Sequence, residues 1–422
     1  MKHGRRKEYF MNFRKIFLLL ITLLCFAALP LAEARGLQEN YDLVQVLVLS
    51  RHNIRAPLVD SGTLSGITPH QWHDFGVPSG ELTVHGGQLE ESMGAYARSC
   101  LQQEGLLPAG CQPGEGEILF YANALQRTLG TARHFADGMF PGEKMPVKYE
   151  GQVGEPDPLF WGDLSGHSAA FDRELKKELA ALGGSEALTR RVAPGIEAAA
   201  IALDNPAVEN DELQVTVKEG LHLGGSIRPL MTACDALSLQ YYELGDSRAS
   251  FGHELSFRQW QDIAAVKEAG IHVYRRMPTF ARALARPLLE VFLQELNAPG
   301  RKFTFLCGHD TNVATVMGAL GVRENSLPES IEQEVPIGGK LVVERWQDRA
   351  GESFLALKLV YPSVYQLCSE LPIDMRHPPQ SLPLHLQGME PNEEDLIPLQ
   401  AFRQRLTEAI ESDEELMDVD GK

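Results

Sequence analysis

Seven consecutive residues, Val44-Gln45-Val46-Leu47-Val48-Leu49-Ser50, constrain the fold of this chain more than any other stretch. The run is β-branched and almost wholly apolar, too short for most helices, and it stops abruptly at charge. It predicts a strand buried on both faces, as in a parallel sheet covered by helices. That puts Arg51-His52-Asn53-Ile54-Arg55-Ala56-Pro57 at or just past the strand's carboxyl end. Ligands of open α/β sheets collect there.

The rhythm of strand and helix then recurs. Helical spacing covers residues 86–104, with Leu89, Met93, Tyr96, Ala97 and Leu101 on one apolar face; 118–122 reads as a strand and 125–135 as a helix. Between about 155 and 276 the pattern turns helical, over 170–182, 187–203, 231–243 and 257–273. The α/β rhythm resumes with a helix over 282–296, a strand over 303–307 and a helix over 313–320. Strands over 340–345 and 354–361 are close enough to pair antiparallel; a last helix covers 399–410, followed by an acidic tail expected to fray. The organisation predicted is α/β: one discontinuous domain from 35–154 and 277–422, interrupted by a mostly helical insertion at 155–276.

Two polar clusters far apart in sequence each follow a predicted buried strand: Arg51 to Arg55, and Gly308-His309-Asp310. In a parallel sheet both open onto the same edge, and Arg127, near a helix start, can join them. Guanidinium forks suit a tetrahedral dianion, because they bond two phosphoryl oxygens at once and neutralise charge in the transition state. A neutral imidazole is a good nucleophile for phosphorus, and a carboxylic acid beside it can protonate the departing alkoxide. Taken singly, each residue has a plainer use: a histidine capping the strand end, solvated arginines, an Asp capping the next helix. The convergence is what points to chemistry.

Composition narrows the partners. A formal charge of −18 over 422 residues opposes nonspecific binding of nucleic acid or an anionic membrane. The first 34 residues carry six Lys or Arg against two Glu, so the remainder is near −22. Those residues read as a signal peptide: a basic stretch ending at Arg14-Lys15, an apolar run over 16–30, and Ala32-Glu33-Ala34 before the cleavage point. Met11 is an alternative start. The run is short for a membrane span, and Leu24 is bulky where a lipid-attachment signal before Cys25 wants a small residue. A periplasmic or otherwise exported protein without a stable membrane anchor is expected. Among the cysteines that follow, Cys100 and Cys111 are the best local disulfide pair, closing a Gly- and Pro-bearing loop; such a link stabilises by about 3 kcal/mol. Cys307 reads as a buried thiol. No metal-ligand spacing stands out.

The chain resembles the histidine acid phosphatase family, with Arg51 to Pro57 standing for its amino-terminal motif and His309-Asp310 for its carboxyl-side pair. Within it, the stretch Tyr121 to Thr128, the pair Tyr241-Tyr242 and Pro336-Ile337-Gly338-Gly339-Lys340 are similar to the bacterial periplasmic glucose-1-phosphatase branch. The resemblance implies a phosphoglycerate-mutase-like layered α/β domain with a mixed, mostly parallel sheet and an inserted helical domain. It implies His52 as nucleophile, Asp310 as proton donor, and Arg51, Arg55, Arg127 and His309 as phosphate ligands, His309 being most useful when protonated. No cofactor and no metal is implied. Asn53 stands where many phytases have Gly, and together with Glu219 it suggests a sugar phosphate such as glucose 1-phosphate. Phytase activity on inositol hexakisphosphate, phosphoryl transfer to another alcohol, and binding of phosphorylated solutes without turnover are the alternatives.

Overall fold

The computed structural model describes residues 37, 39–110 and 112–417. The signal-peptide segment, its Ala34 cleavage point and Cys25 lie outside the described residues.

The strands are β1 (Tyr41–Arg51), β2 (Ile118–Ala122), β3 (Val147–Lys148), β4 (Gln214–Val217), β5 (Leu221–Gly224), β6 (Phe303–Gly308), β7 (Lys340–Asp348), β8 (Ser353–Tyr361), β9 (Gln380–Pro383) and β10 (Ile397–Pro398). The main sheet runs β10-β8-β7-β1-β6-β2-β3, with β9 also on β8. Its centre is parallel: β1 pairs β6, β6 pairs β2 and β2 pairs β3. The flank from β7 outward is antiparallel. The fold is therefore a mixed α/β layer with a largely parallel core.

Alternation along β1 shows why this run had to be a central strand. Val46 and Val48 enter one apolar core with Phe120, Phe135, Phe303 and Phe305, whereas Leu47 and Leu49 enter the other with Leu306, Leu341 and Val343. Each face needs a helical cover. Helices α1 (Val84–Gln103) and α2 (Gln126–Met139) contribute Leu89, Met93 and Phe135 to the first core. Phe135 stacks on Phe305 with centroids 4.2 Å apart. Helices α8 (Pro278–Asn297), α9 (Asp310–Leu320) and α10 (Leu399–Glu414) cover the other side through Leu288, Phe292, Met317 and Phe402.

Between the two halves of the sheet the chain forms α3 (Ala169–Ala181), α4 (Gly184–Ala202), α5 (Arg228–Leu244), α6 (Phe257–Lys267) and α7 (Ala269–Arg276). Two details depart from the sequence reading. The helix expected over 257–273 breaks at Glu268, whose buried carboxylate accepts hydrogen bonds from the Gln333, Glu334 and Val335 amides. A hairpin of β4 and β5 also lies within the helical stretch.

The expected Cys100–Cys111 disulfide is overturned. Cys100 is a free thiol on α1, one turn from Tyr96, whose hydroxyl bonds it; Cys111 lies outside the described residues. Loop composition suggested the pair, but Cys100 sits half-buried on α1, where Tyr96 takes its thiol. Cys234, Cys307 and Cys368 are also free, and Cys307 is buried as expected. Helix α10 runs to Glu414, further into the acidic tail than its composition suggested, with Phe402, Leu406 and Ala409 buried.

Candidate active site

Parallel register brings the clusters together. Arg51 pairs with Gly308, and Ala122 pairs with Cys307, so the carboxyl ends of β1, β6 and β2 are level. The backbone is then stitched across the edge. The His52 amide donates to Gly308 O at 3.0 Å, the Gly338 amide to His52 O at 3.1 Å, and the Asn123 amide to Cys307 O at 2.9 Å. Gly338 has φ 65°, and a Cβ there would come within 2.7 Å of Asn53 Nδ2, so the turn at Gly338 needs glycine for both reasons.

His52 is 3% exposed, and its ring lies edge-on to His309 with centroids 5.4 Å apart. Its Nδ1 is 2.8 Å from the Asn53 carbonyl. A carbonyl can only accept, so Nδ1 carries the hydrogen and Nε2 keeps its lone pair. Burial, then Arg127, His309, Arg55 and Arg51, pushes the His52 pKa well below the ordinary histidine value. His309, the N-cap of α9, is pushed down to about 3 by burial and by Arg127. Its Nε2 is engaged at 2.8 Å by the Asn123 amide. The expectation of a protonated His309 is therefore not met in the free site, because burial first, and then Arg127, disfavours the extra proton.

Arg51, 1% exposed, donates to Glu332 Oε1 at 2.7 Å and Val335 O at 2.6 Å, and lies 3.3 Å from Asp310 Oδ2. Burial opposes its charge, but Glu332 and then Asp310 outweigh burial and hold its pKa above the usual arginine range. Burial would raise Asp310 too; Arg51 and then Lys267 reverse this and hold its carboxyl far below the usual range. Arg55 is fixed by Asp235 Oδ2 at 2.9 Å. Arg127 has only a long contact of 3.4 Å to Gly80 O, and burial, then Arg55, lowers its pKa to about 10. The Nε atoms of Arg51, Arg55 and Arg127 are buried without a hydrogen-bond partner. Such a site is short of negative charge and rich in donors, and the amino terminus of α9 adds to both.

The two specificity candidates do not join this cluster. Asn53 is fully buried; its amide donates to Glu90 at 2.8 Å and its oxygen accepts from the Ile54 amide at 2.8 Å. Its side chain holds the loop's interior and does not line a mouth. Glu219 is exposed at the tip of the β4-β5 hairpin, and its amide donates to Asp172 Oδ2 on α3 at 2.9 Å.

Sequence reasoning missed the layer beneath the cluster. Glu332, fully buried, takes Arg51, Lys267, the Tyr242 hydroxyl at 2.9 Å and the Ile337 amide at 2.7 Å. Asp235 on α5 and Lys267 at the end of α6 reach the site from the helical segment, 3.6 Å from each other. The Asn123 oxygen accepts from the Asp157 amide at 2.9 Å, which fixes the amide group that faces His309. Of these, Tyr242, Asn123 and Ile337 lay in motifs quoted from the sequence; Glu332 did not.

Comparison with known proteins agrees with this geometry. The model of the histidine phosphatase superfamily, branch 2, matches residues 42–168 and 252–361. The glucose-1-phosphatase of Salmonella typhimurium is 32% identical, covering 88% of this chain and 93% of that protein. Phytase AppA of Escherichia coli is 27% identical over the same shares, 88% and 93%. The structure of Hafnia alvei phytase in complex with myo-inositol hexakis sulphate superposes with a TM-score of 0.79 at 25% identity, covering 88% of this chain and 98% of that one. A strand-end edge built for an anion, carried on this sheet and matched on both sides of the helical segment, leads to one assignment: the chain belongs to the histidine phosphatase superfamily, branch 2, and is an enzyme of the histidine acid phosphatase type.

Proposed function

We propose that this phosphatase cleaves phosphate monoesters in two steps through a phosphohistidine on His52. One observation carries the reading: His52 keeps a free Nε2 lone pair, because the Asn53 carbonyl holds its hydrogen on Nδ1 at 2.8 Å. Burial and the arginines keep that ring neutral in acid, so the lone pair survives where most histidines lose it. Nε2 attacks phosphorus while Arg51, Arg55, Arg127 and His309 hold the phosphoryl oxygens, and the alkoxide leaves with a proton from Asp310. Asp310 is ionised in the free site, so the proton must arrive with the substrate. A monoester monoanion brings one, and its phosphate shares Arg51 and lifts the Asp310 pKa. In the second step Asp310 takes a proton from water as the water opens the phosphohistidine.

We infer an inositol polyphosphate as the substrate class. Support for a sugar phosphate rested on Asn53 and Glu219, of which one is buried and turned to Glu90 and the other is exposed at the tip of the β4-β5 hairpin, away from the anion site. The hexakis sulphate bound by the Hafnia alvei phytase occupies a protein of this fold. Glucose 1-phosphate is the second reading, favoured by the relative at 32% identity. The specificity constants for both substrates in acid decide between them. A value at least about tenfold higher for inositol hexakisphosphate supports the first reading, and the reverse supports the second. No turnover of either, or of an aryl phosphate, contradicts the proposal.

We also infer export through the amino-terminal segment, and a cleft between the α/β layer and the helical stretch at 155–276, from which Asp235 and Lys267 reach the site. Among the described residues no helix is long and apolar enough to cross a membrane.

A further inference from the structure

A second group of His and Asp side chains lies outside the anion site. His70 Nε2 is 2.7 Å from Asp204 Oδ2, and His253 Nε2 is 3.2 Å from Asp204 Oδ1. One ligand atom from each of the three lies within 4.8 Å of the others, and among the described residues no other group of His, Cys, Asp or Glu does this. Ligands about 2.0–2.1 Å from a tetrahedral zinc ion stand about 3.4 Å apart, which falls inside the range of these separations. His253 Nε2 is already near that spacing from Asp204, and His70 Nε2 would have to part from the carboxylate by about 0.7 Å to admit the ion.

The three ligands come from three separate segments, and the segments are already locked together. The Thr68 hydroxyl donates to Leu203 O at 2.8 Å, and the Asn205 amide group to Ile67 O at 2.8 Å, which ties the residues before His70 to those around Asp204. The His253 amide donates to Ser250 O at 3.0 Å. Phe251 stacks on the His70 ring with centroids 4.7 Å apart and an interplanar angle of 16°, which sets the plane of that imidazole. Asp204 and Phe251 both occupy the left-handed region, with φ of 48° and 55°. Non-glycine residues are held there only where the surroundings over-determine them, and such positions cluster at ligand sites.

Chemistry selects the ion. Two imidazoles and one carboxylate suit Zn²⁺, whereas Ca²⁺ and Mg²⁺ want oxygen ligands throughout. Among the described residues no Lys or Arg pairs with Asp204; its ion-pair partners are the two histidines. The side chains of His70, Asp204 and His253 are 29%, 48% and 32% exposed, so the fourth position opens to water.

We propose that His70, Asp204 and His253 form a zinc site that pins the segment following Arg55 to the helical part of the chain. That segment begins at Arg55 and returns to bridge it at Leu82, and its Gly80 carbonyl touches Arg127. The ion takes no part in phosphoryl transfer; it fastens a stretch whose two ends belong to the anion site. The plainer arrangement, a carboxylate bridging two imidazoles by hydrogen bonds, makes no use of a metal.

The test is equilibrium dialysis of the full chain against Zn²⁺ at neutral pH, with metal analysis and thermal melts. The expected result is one tightly held ion per chain and a raised melting temperature. His70→Gln, His253→Gln and Asp204→Asn should each weaken binding by more than about 100-fold and abolish the melting shift. His52→Ala should keep both, which separates this site from the anion site. Co²⁺ should give the visible absorption of a four-coordinate ion, lost in His253→Gln. If a variant fails to fold, its two companions and the Co²⁺ spectrum still decide. Absence of a bound ion in the folded wild type, or unchanged binding in the three variants, overturns the proposal.

Discussion

Two clusters in this molecule are built from the same residue types, and their surroundings make them opposites. At the strand ends, His52, His309 and Asp310 sit among Arg51, Arg55 and Arg127; burial and that positive field push His309 down to about 3, while the field, against burial, keeps Asp310 ionised. At the outer cluster, His70 and His253 flank Asp204 with no arginine between them, and their hydrogen bonds, His70 first, lower the Asp204 pKa. One environment seats an anion and the other a cation. Residue type names the candidates for chemistry, but the neighbouring charges decide which chemistry.

The comparison breaks most easily at His52. His52→Ala should lower kcat on the order of 10⁴-fold or more while leaving circular dichroism and zinc retention intact, since only the nucleophile is lost. Near-normal turnover would mean that the anion site is not where reaction occurs. The next largest effect concerns the charge layer that the outer cluster lacks. Glu332→Ala strands Arg51 and Lys267 in the interior, and should cost about 3–5 kcal/mol in chemical denaturation as well as raising KM. A loss below about 1 kcal/mol would show that Arg51 does not depend on this partner. Asp310→Asn should slow alkyl phosphates by about 10²-fold or more and aryl phosphates much less, because a phenoxide leaves without a full proton. Equal losses on both would make Asp310 a positioning group.

Stability against pH sharpens the contrast in the field. At neutral pH His309 is uncharged in the fold and mostly uncharged in the unfolded chain. As pH falls from the ordinary histidine value of 6.5 toward about 3, the unfolded chain takes up a proton that the folded site refuses, so folding stability drops. The slope from one such group approaches about 1.4 kcal/mol per pH unit. His309→Asn should flatten the decline between those limits in urea melts followed across pH; an unchanged decline would show that His309 is not held neutral. The smallest effect is expected at Asn53. Asn53→Gly should cost about 1–2 kcal/mol through its lost bonds to Glu90 and Ile54, and should change the ratio of the two specificity constants by less than about twofold. A larger change would return Asn53 to the substrate's mouth.

What was legible in sequence had a local cause. β6 and the second half of β1 are buried on both sides, so each reads as a continuous apolar run, and the polar residues just beyond them fall at one edge once the strands are parallel. That placed Arg51, His52, Arg55, His309 and Asp310 before any coordinates. Glu332 had no such mark: it lies in a stretch without helix or strand, and its role comes from Arg51, 281 residues away in sequence. His70 and Asp204 are 134 residues apart, so no ligand-spacing motif could join them. Asn53 misled because residue type was read without direction: past the strand's end the alternation stops, and its side chain turns inward to Glu90. The disulfide was overturned because the composition of a loop says nothing of how a helix orients Cys100.

The covalent intermediate on His52 tests the central claim most directly. Enzyme mixed with phosphate-labelled substrate, quenched within milliseconds in alkali and mapped by peptide, should carry acid-labile, base-stable label on the peptide containing His52. That label should vanish in His52→Ala and persist, with slower turnover, in Asp310→Asn assayed with an aryl phosphate. Label on another residue, or turnover with no labelled histidine at any quench time, would contradict it.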